Sequence, residues 1–231
     1  MNVAIVVAGG KGTRFGSDRP KQFLELKNIP VIVHTLLQFE RCREIGGVVV
    51  VLPREEVHGF QSLAEPFALS KVLRVVPGGD TRAQSVRRGL ATVATAEIIA
   101  VHDGVRPLIT PEEIDDVVSA ARQNGAAILV APVGDTVKEV SNDRIARTIP
   151  RSNLRRALTP QCFRFEILKR AYESLDELEQ AGTDVTDDSF LVERLGIDVV
   201  MVEGSARNIK ITKQEDLKVV EAMLELSEYQ L

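Results

Sequence analysis

The chain has 231 residues, 44% of them hydrophobic and 27% charged, which suits one α/β domain with an ordinary buried core. A net charge of −4, aromatic content of 4% and the lack of tryptophan argue against a nucleic-acid surface, where basic stripes alternate with stacking rings. Cys42 and Cys162 have neither zinc-site spacing nor the density of a disulfide scaffold, and no apolar run reaches the roughly 18 residues of a membrane span. The expectation is a cytoplasmic protein with no signal peptide, no membrane contact and two reduced, structural thiols.

Val3 to Val7 are five successive apolar residues ended by glycines, the pattern of a fully buried strand. That strand delivers Ala8-Gly9-Gly10-Lys11-Gly12-Thr13-Arg14-Phe15-Gly16, followed by Arg19-Pro20-Lys21-Gln22-Phe23-Leu24. Glycines let backbone N–H groups approach a ligand closely, and Lys11, Arg14, Arg19 and Lys21 place cations beside them, so the loop suits a polyphosphate. A dinucleotide fingerprint is excluded because Gly10-Lys11-Gly12-Thr13-Arg14-Phe15 lacks the third glycine. A Walker loop is excluded because Lys11 is followed by Gly12 and Pro20 interrupts any nearby helix.

Further on, the pattern predicts a helix over Val31–Phe39, a strand over Val48–Leu52, a helix from Glu55 to Leu69 and a strand over Val72–Val76. Gly78-Gly79-Asp80-Thr81-Arg82 then leads into a helix over Ala83–Val93. A strand over Ile98–Val101 ends in His102-Asp103-Gly104-Val105-Arg106-Pro107. Thr110 caps a helix over Pro111–Asn124, with proline at its first position, and Ala126–Ala131 is the next strand. Thr136–Val140 and Ile145–Ile149 flank the turn formers Ser141-Asn142-Asp143 and read as a hairpin. Such a hairpin is marginal alone and needs its own domain or a second subunit to pack on. The rest returns to helices over Arg164–Leu178 and Asp187–Leu195, a strand over Val199–Val202 and a helix over Lys213–Leu226.

Strands alternating with helices imply a mostly parallel sheet covered on both faces, with ligands beyond the C-terminal strand ends. The glycine loop, Gly78–Arg82 and His102–Pro107 each follow a strand, so all three should line one crevice. Read from the residues alone, Gly78-Gly79 also fits a plain strand-to-helix turn, and Thr159-Pro160 fits a turn. Lys210 between Ile209 and Ile211 fits an edge-strand cation, and Thr186-Asp187-Asp188 fits a helix cap. His102-Asp103 is too small a set for a metal site.

Five segments, in order, resemble a known family: Ala8-Gly9-Gly10-x-Gly12-x-Arg14 with Pro20-Lys21-Gln22, then Gly79-Asp80 with Ser85, His102-Asp103-x-x-Arg106-Pro107, Thr159-Pro160-Gln161, and Asn208-x-Lys210-x-Thr212. Together they are similar to the cytidylyltransferases that activate polyol phosphates, over essentially the whole chain. The resemblance implies a Rossmann-like nucleotidyltransferase fold in one domain, 1–231, with 133–158 a protruding β-arm used in a homodimer. It implies transfer of CMP from CTP, with Mg2+ held mainly by the CTP phosphates and Asp103 as a further ligand. It implies catalysis by Arg14 and Lys21, and nucleotide binding by Ala8, Gly9, Gly10, Gly12, Gly79, Asp80, Ser85 and Asp103. Acceptor binding falls to Arg106, Thr136, Arg151, Thr159, Thr186 and Lys210, while Asp103 and Arg106 stay open between ribose, metal and polyol phosphate. Leu158-Thr159-Pro160-Gln161 favours methylerythritol phosphate as the acceptor. The alternatives are ribitol phosphate and a non-catalytic nucleotide binder, the latter disfavoured because Arg14, Lys21, Asp103 and Lys210 occur together. Gly9, Gly104-Val105 and Arg207 depart from the family pattern.

Overall fold

The apolar run at the N-terminus forms the strand that every other element is arranged around. In the computed structural model, which describes residues 1–10 and 20–228, β1 (Val3–Val7) lies between two parallel neighbours and is buried along its whole length. These are β4 (Gly47–Leu52) and β6 (Ile98–Asp103), and the register places Val7 beside Val51 on one side and Asp103 on the other. Between β1 and β4 come a small ladder, β2 (Glu25–Leu26) with β3 (Ile29–Pro30), and helix α1 (Val31–Arg41). Helix α2 (Phe60–Ala64) leads to β5 (Val72–Pro77), and α3 (Arg82–Leu90) carries the chain from β5 back to β6 on the far side of β1. The strand order therefore reverses at β1, which opens a crevice at its C-terminal tip.

Helix α4 (Pro111–Asn124) begins with a capping box between Thr110 and Glu113 and leads to β7 (Ala126–Pro132). The hairpin β8 (Val137–Ser141) and β9 (Arg144–Ile149) follows, and its turn residues Asn142 and Asp143 both take positive φ, the geometry that matches strand twist in a two-residue turn. Its side chains are exposed or half-buried on both faces. The chain re-enters the sheet as β10 (Arg155–Arg164), antiparallel to both β6 and β7. Arg155–Leu158, expected as part of the arm, thus already belongs to the central sheet. Helices α5 (Phe165–Ala171), α6 (Leu175–Gln180) and α7 (Asp188–Glu193), strand β11 (Val200–Glu203) and helix α8 (Gln214–Glu228) complete the chain. Among the described residues the seven-stranded order is β11-β7-β10-β6-β1-β4-β5.

Side chains alternate across β1: Ala4 and Val6 join Ile32, Leu36, Phe39 and Val118 under α1 and α4, while Val3, Ile5 and Val7 join Val86, Phe163, Leu168 and Leu191 under α3, α5 and α7. A third cluster, Leu26, Val31, Val105, Ile211 and Val220, seats α8 beside the crevice.

Three expectations need correction. The helix expected over Glu55–Leu69 is broken into α2 and two short turns of tighter helix, because Gly59 precedes it and Pro66 withholds an N–H, and Ala68 ends it with positive φ. The helix expected over Arg164–Leu178 is likewise interrupted between Ala171 and Leu175. Thr159-Pro160-Gln161 is no turn but lies within β10, at a shift in its register with β7 between Ala157 and Gln161, where the missing N–H of Pro160 is tolerated. The Thr159–Pro160 peptide is cis.

Candidate active site

Three strand tips meet at the crevice, and their ladders run slightly past the strands. Ala8 N–H donates to the Val51 carbonyl at 2.8 Å, Gly104 N–H to Val7 at 2.8 Å and Gly78 N–H to Leu52 at 2.7 Å. Gln22, buried, donates from Nε2 to the carbonyls of Ala8 at 2.6 Å and Gly10 at 3.3 Å, so the Pro-Lys-Gln segment folds back over the start of the glycine loop. That fold-back brings Lys21 round to donate to the Ile211 carbonyl at 2.7 Å.

Asp103 is the hub of the floor. Its Oδ1 accepts the Arg82 Nε–H at 2.9 Å, and its Oδ2 faces Arg106 Nε at 3.3 Å and Lys210 Nζ at 2.9 Å. Burial alone would raise the carboxyl's pKa, but Arg82, Lys210 and Arg106 together hold it well below the usual carboxylate range. Arg82 also donates from Nη1 to Asp188 Oδ2 at 2.8 Å, and the Tyr172 hydroxyl donates to the other oxygen of Asp188. Burial works against the Arg82 charge, yet Asp188 and Asp103 together keep its pKa well above normal. Three cations against two carboxylates leave the floor with a net positive charge, facing the tip of β1.

His102, fully buried beside the ring of Phe39, is pushed down to a pKa of about 3, first by burial. It is therefore neutral, and its neighbours fix the tautomer. Nε2–H donates to the Arg106 carbonyl at 3.3 Å, and Nδ1 accepts the Thr159 hydroxyl at 3.0 Å, whose oxygen accepts the Asp103 N–H at 3.2 Å. His102 thus locks Asp103, Arg106 and Thr159 together, in keeping with its structural reading.

The loop from Gly204 to Lys213 closes the other wall. Arg106 Nη1 donates to the Asn208 carbonyl at 2.9 Å, Asn208 Nδ2 donates to the Thr159 carbonyl at 2.9 Å, and Ile211 N–H donates to Val105 at 2.9 Å. Lys210 sits on this loop and not on an edge strand, which corrects that expectation. Asp216 Oδ2 accepts from the Thr212 hydroxyl and from the backbone of Thr212 and Lys213, which ties the loop to the start of α8.

Gly78, Gly79 and Asp80 form the third wall. Ser85 Oγ accepts the Gly79 N–H at 3.0 Å and donates to the Thr81 carbonyl at 3.0 Å, and Thr81 caps α3 through Gln84 N–H. A methyl on Gly79 would stand 2.4 Å from Gln84 Cβ, so this turn requires glycine for its close approach. Cys42 and Cys162 are both free and buried.

Ala8, Gly9, Gly10, Gly79, Asp80 and Ser85 line neighbouring strand tips, and Asp103, Arg106, Thr159 and Lys210 form one hydrogen-bonded cluster on the floor. Gly12 and Arg14 lie outside the described residues. Thr186 is exposed just before Asp187, which caps α7 by accepting Phe190 N–H at 3.0 Å. Thr136 and Arg151 flank the hairpin, both exposed, and Arg151 donates to the Gly134 carbonyl. Nothing in these contacts joins Thr136 or Arg151 to Asp103 within one chain. From the residues alone Asp188 reads only as part of a helix cap and Arg82 only as part of the Gly78–Arg82 turn, neither as a member of the floor, and Gln161, Gln22 and Asn208 carry no task of their own. Gln161 bridges Asp187 at 2.8 Å and the N–H groups of Asp188 and Ser189 at 2.9 and 3.0 Å, so β10 sets the position of α7. Arg82, Gln161, Gln22 and Asn208 lay inside recognised motifs, which was the available signal.

A cation-rich floor at the switch point of a mostly parallel sheet, beside the start of a glycine-rich segment, defines a nucleotidyltransferase-type α/β protein. A family model described as 2-C-methyl-D-erythritol 4-phosphate cytidylyltransferase matches residues 2–226. The chain belongs to that family. It is 43% identical over 229 residues to a 2-C-methyl-D-erythritol 4-phosphate cytidylyltransferase of Syntrophus aciditrophicus, covering 98% of this chain and 97% of the relative. Among solved structures it is similar to 4-diphosphocytidyl-2C-methyl-D-erythritol synthase from Anaerococcus prevotii, with a TM-score of 0.84, 31% identity, and coverage of 97% and 96%. The 2-C-methyl-D-erythritol 4-phosphate cytidylyltransferase from Thermus thermophilus gives a TM-score of 0.76 at 31% identity, covering 96% of this chain and 98% of that one. Among the described residues no helix is long and apolar enough to cross a membrane.

Proposed function

We propose that the chain transfers CMP from CTP to 2-C-methyl-D-erythritol 4-phosphate, giving 4-diphosphocytidyl-2-C-methyl-D-erythritol and pyrophosphate, in the cytoplasm and in the non-mevalonate isoprenoid pathway. The observation that carries this reading is the convergence of Arg106 and Lys210 on Asp103 beside the tip of β1, a cationic seat for a second phosphate next to the glycine loop. An oxygen of the acceptor phosphate attacks the α-phosphorus, and the bond from that phosphorus to the bridging oxygen of the β-phosphate breaks as pyrophosphate leaves. A phosphate is already a nucleophile, so no general base and no covalent intermediate are needed. The protein aligns two anions and stabilises the added negative charge.

Lys21 and Arg14 are assigned to that stabilisation. The turn from Gly78 to Ser85 is assigned to the cytosine, and Thr159, Thr186, Arg106 and Lys210 to the acceptor. A hard divalent cation takes one or two carboxylates together with substrate phosphates. Among the described residues no group of three or more His, Cys, Asp or Glu could hold a metal alone, and Asp103 supplies a carboxylate beside the tip of β1. Both Asp103 oxygens already pair with cations, so a magnesium ion would be held mainly by the CTP phosphates, with Asp103 contributing where Lys210 turns to the acceptor, and the ion would neutralise phosphate charge. The single domain 1–231 would extend its arm, 133–158, to a second copy, placing Thr136 and Arg151 at the partner's crevice. Support for this comes from Val140 and Ile145, which face each other across the hairpin at 62% and 66% exposure.

The test is a pyrophosphate-release assay crossing the four nucleoside triphosphates with methylerythritol phosphate and ribitol 5-phosphate. Release is expected with CTP and methylerythritol phosphate. Release with ribitol 5-phosphate in its place would move the acceptor assignment, and no release with any pair would overturn the reading.

A further inference from the structure

Asn208 belongs to the Asn-x-Lys-x-Thr segment, yet the proposed chemistry gives it no task. Its side chain is fully buried, with Nδ2 donating to the Thr159 carbonyl at 2.9 Å, and its own carbonyl receives Arg106 Nη1 at 2.9 Å. Two residues on, Lys210 pairs with Asp103, and Ile211 beside it accepts from Lys21. One buried residue therefore joins the strand that carries Thr159, the strand-end turn that carries Arg106 and the loop that carries Lys210. Its Oδ1 is buried without a hydrogen-bond partner among the described residues. An apolar side chain of that size would spare the desolvation cost of this oxygen, so packing does not explain the asparagine.

We infer that Asn208 is the positioning residue of the acceptor-phosphate seat: its amide and carbonyl hold the Lys210 loop in register with Thr159 and Arg106. The inference rests on the acceptor-side assignment of Arg106 and Lys210 made above. Without the amide donor, the loop would keep its ties from Glu113 to Ser205 and Asp216 to Thr212 and its backbone bonds to Arg106 and Val105, but lose the tie to the strand that carries Thr159. Lys210 and Arg106 would then meet the acceptor phosphate out of alignment, while the CTP walls at Gly78–Ser85 and Ala8–Gly10 would stay in place.

The experiment is steady-state pyrophosphate release with CTP and methylerythritol phosphate for the wild type, Asn208→Ala, Asn208→Leu and Lys210→Ala. The leucine variant keeps nearly the side-chain size and loses both the donor to Thr159 and the unpartnered oxygen, so it serves where the alanine variant fails to fold. Both Asn208 variants are expected to raise KM for the acceptor by roughly tenfold, the loss of about one hydrogen bond, with KM for CTP within about twofold. Acceptor KM unchanged in Asn208→Leu, or both KM values rising together, would overturn the inference while leaving the assignment of Lys210 intact. Acceptor KM unchanged in Lys210→Ala would overturn the assignment itself and this inference with it.

Discussion

Arg82 and Asp103 are joined by a 2.9 Å ion pair that links the first turn of α3 to the tip of β6, and Asp188 holds the other end of the same guanidinium at 2.8 Å. The pair thus couples the turn from Gly78 to Arg82 to the floor that carries Arg106 and Lys210. Removing Asp188 would leave Arg82 half-compensated and Tyr172 without its acceptor. Breaking a buried pair costs about 3–5 kcal/mol, and the partial exposure of Arg82 puts this one toward about 3 kcal/mol. Urea denaturation of Asp188→Ala at neutral pH checks this, and an unfolding midpoint equal to wild type would refute it.

His102 makes stability depend on acid. Its folded pKa of about 3 lies below the ordinary 6.5, so between those values the unfolded chain binds a proton that the folded chain refuses. The stabilisation is present above about 6.5 and lost as pH falls toward about 3. Over that window the loss is on the order of 4 kcal/mol. Asp103, also depressed, acts with the same sign at the acid end. Denaturant unfolding at a series of pH values should show stability falling through this window, with a flatter fall in His102→Gln. Parallel curves for the two proteins would contradict the assignment.

Lys21→Ala should keep its fold, because Lys21 sits half-buried at the surface of the crevice and the packed neighbours Gln22 and Phe23 remain. Turnover should fall by about a thousandfold, roughly 3–4 kcal/mol, the loss expected for one preorganised donor to developing charge. Rapid-quench or steady-state pyrophosphate release measures it, and near-normal turnover would remove Lys21 from the chemistry.

Val140→Glu with Ile145→Glu puts two carboxylates opposite each other on the hairpin, in register. If the arm joins two copies, sedimentation should show a dimer for the wild type and a folded monomer with little activity for the variant. A monomeric, fully active wild type would rule out the arm as an interface.

The parallel framework was legible because its strands are unbroken apolar runs: Val3–Val7, Val48–Leu52 and Ile98–Val101 all fall within observed strands. Strand β10 was hidden because Pro160 in a central strand contradicts local propensity and is accommodated only by a shift in pairing with a neighbour distant in sequence. The cluster of Asp103, Arg106, Thr159 and Lys210 was legible through the resemblance of its motifs. The chain of contacts from Tyr172 through Asp188 and Arg82 to Asp103 was not, since a buried ion pair between separate elements leaves no periodic trace. Gln22 and Asn208 were visible as motif letters, but their tasks are to hold backbone carbonyls of other segments, which only the fold brings near.

In the proposed reaction one crevice lays the acceptor phosphate directly against the α-phosphorus of CTP, with the chain supplying cations and no covalent step. The most direct measurement is the configuration at phosphorus in product made from one diastereomer of CTP bearing sulfur on the α-phosphate. A single in-line displacement predicts inversion; retention, the mark of a nucleotidyl-enzyme intermediate, would rule out direct attack.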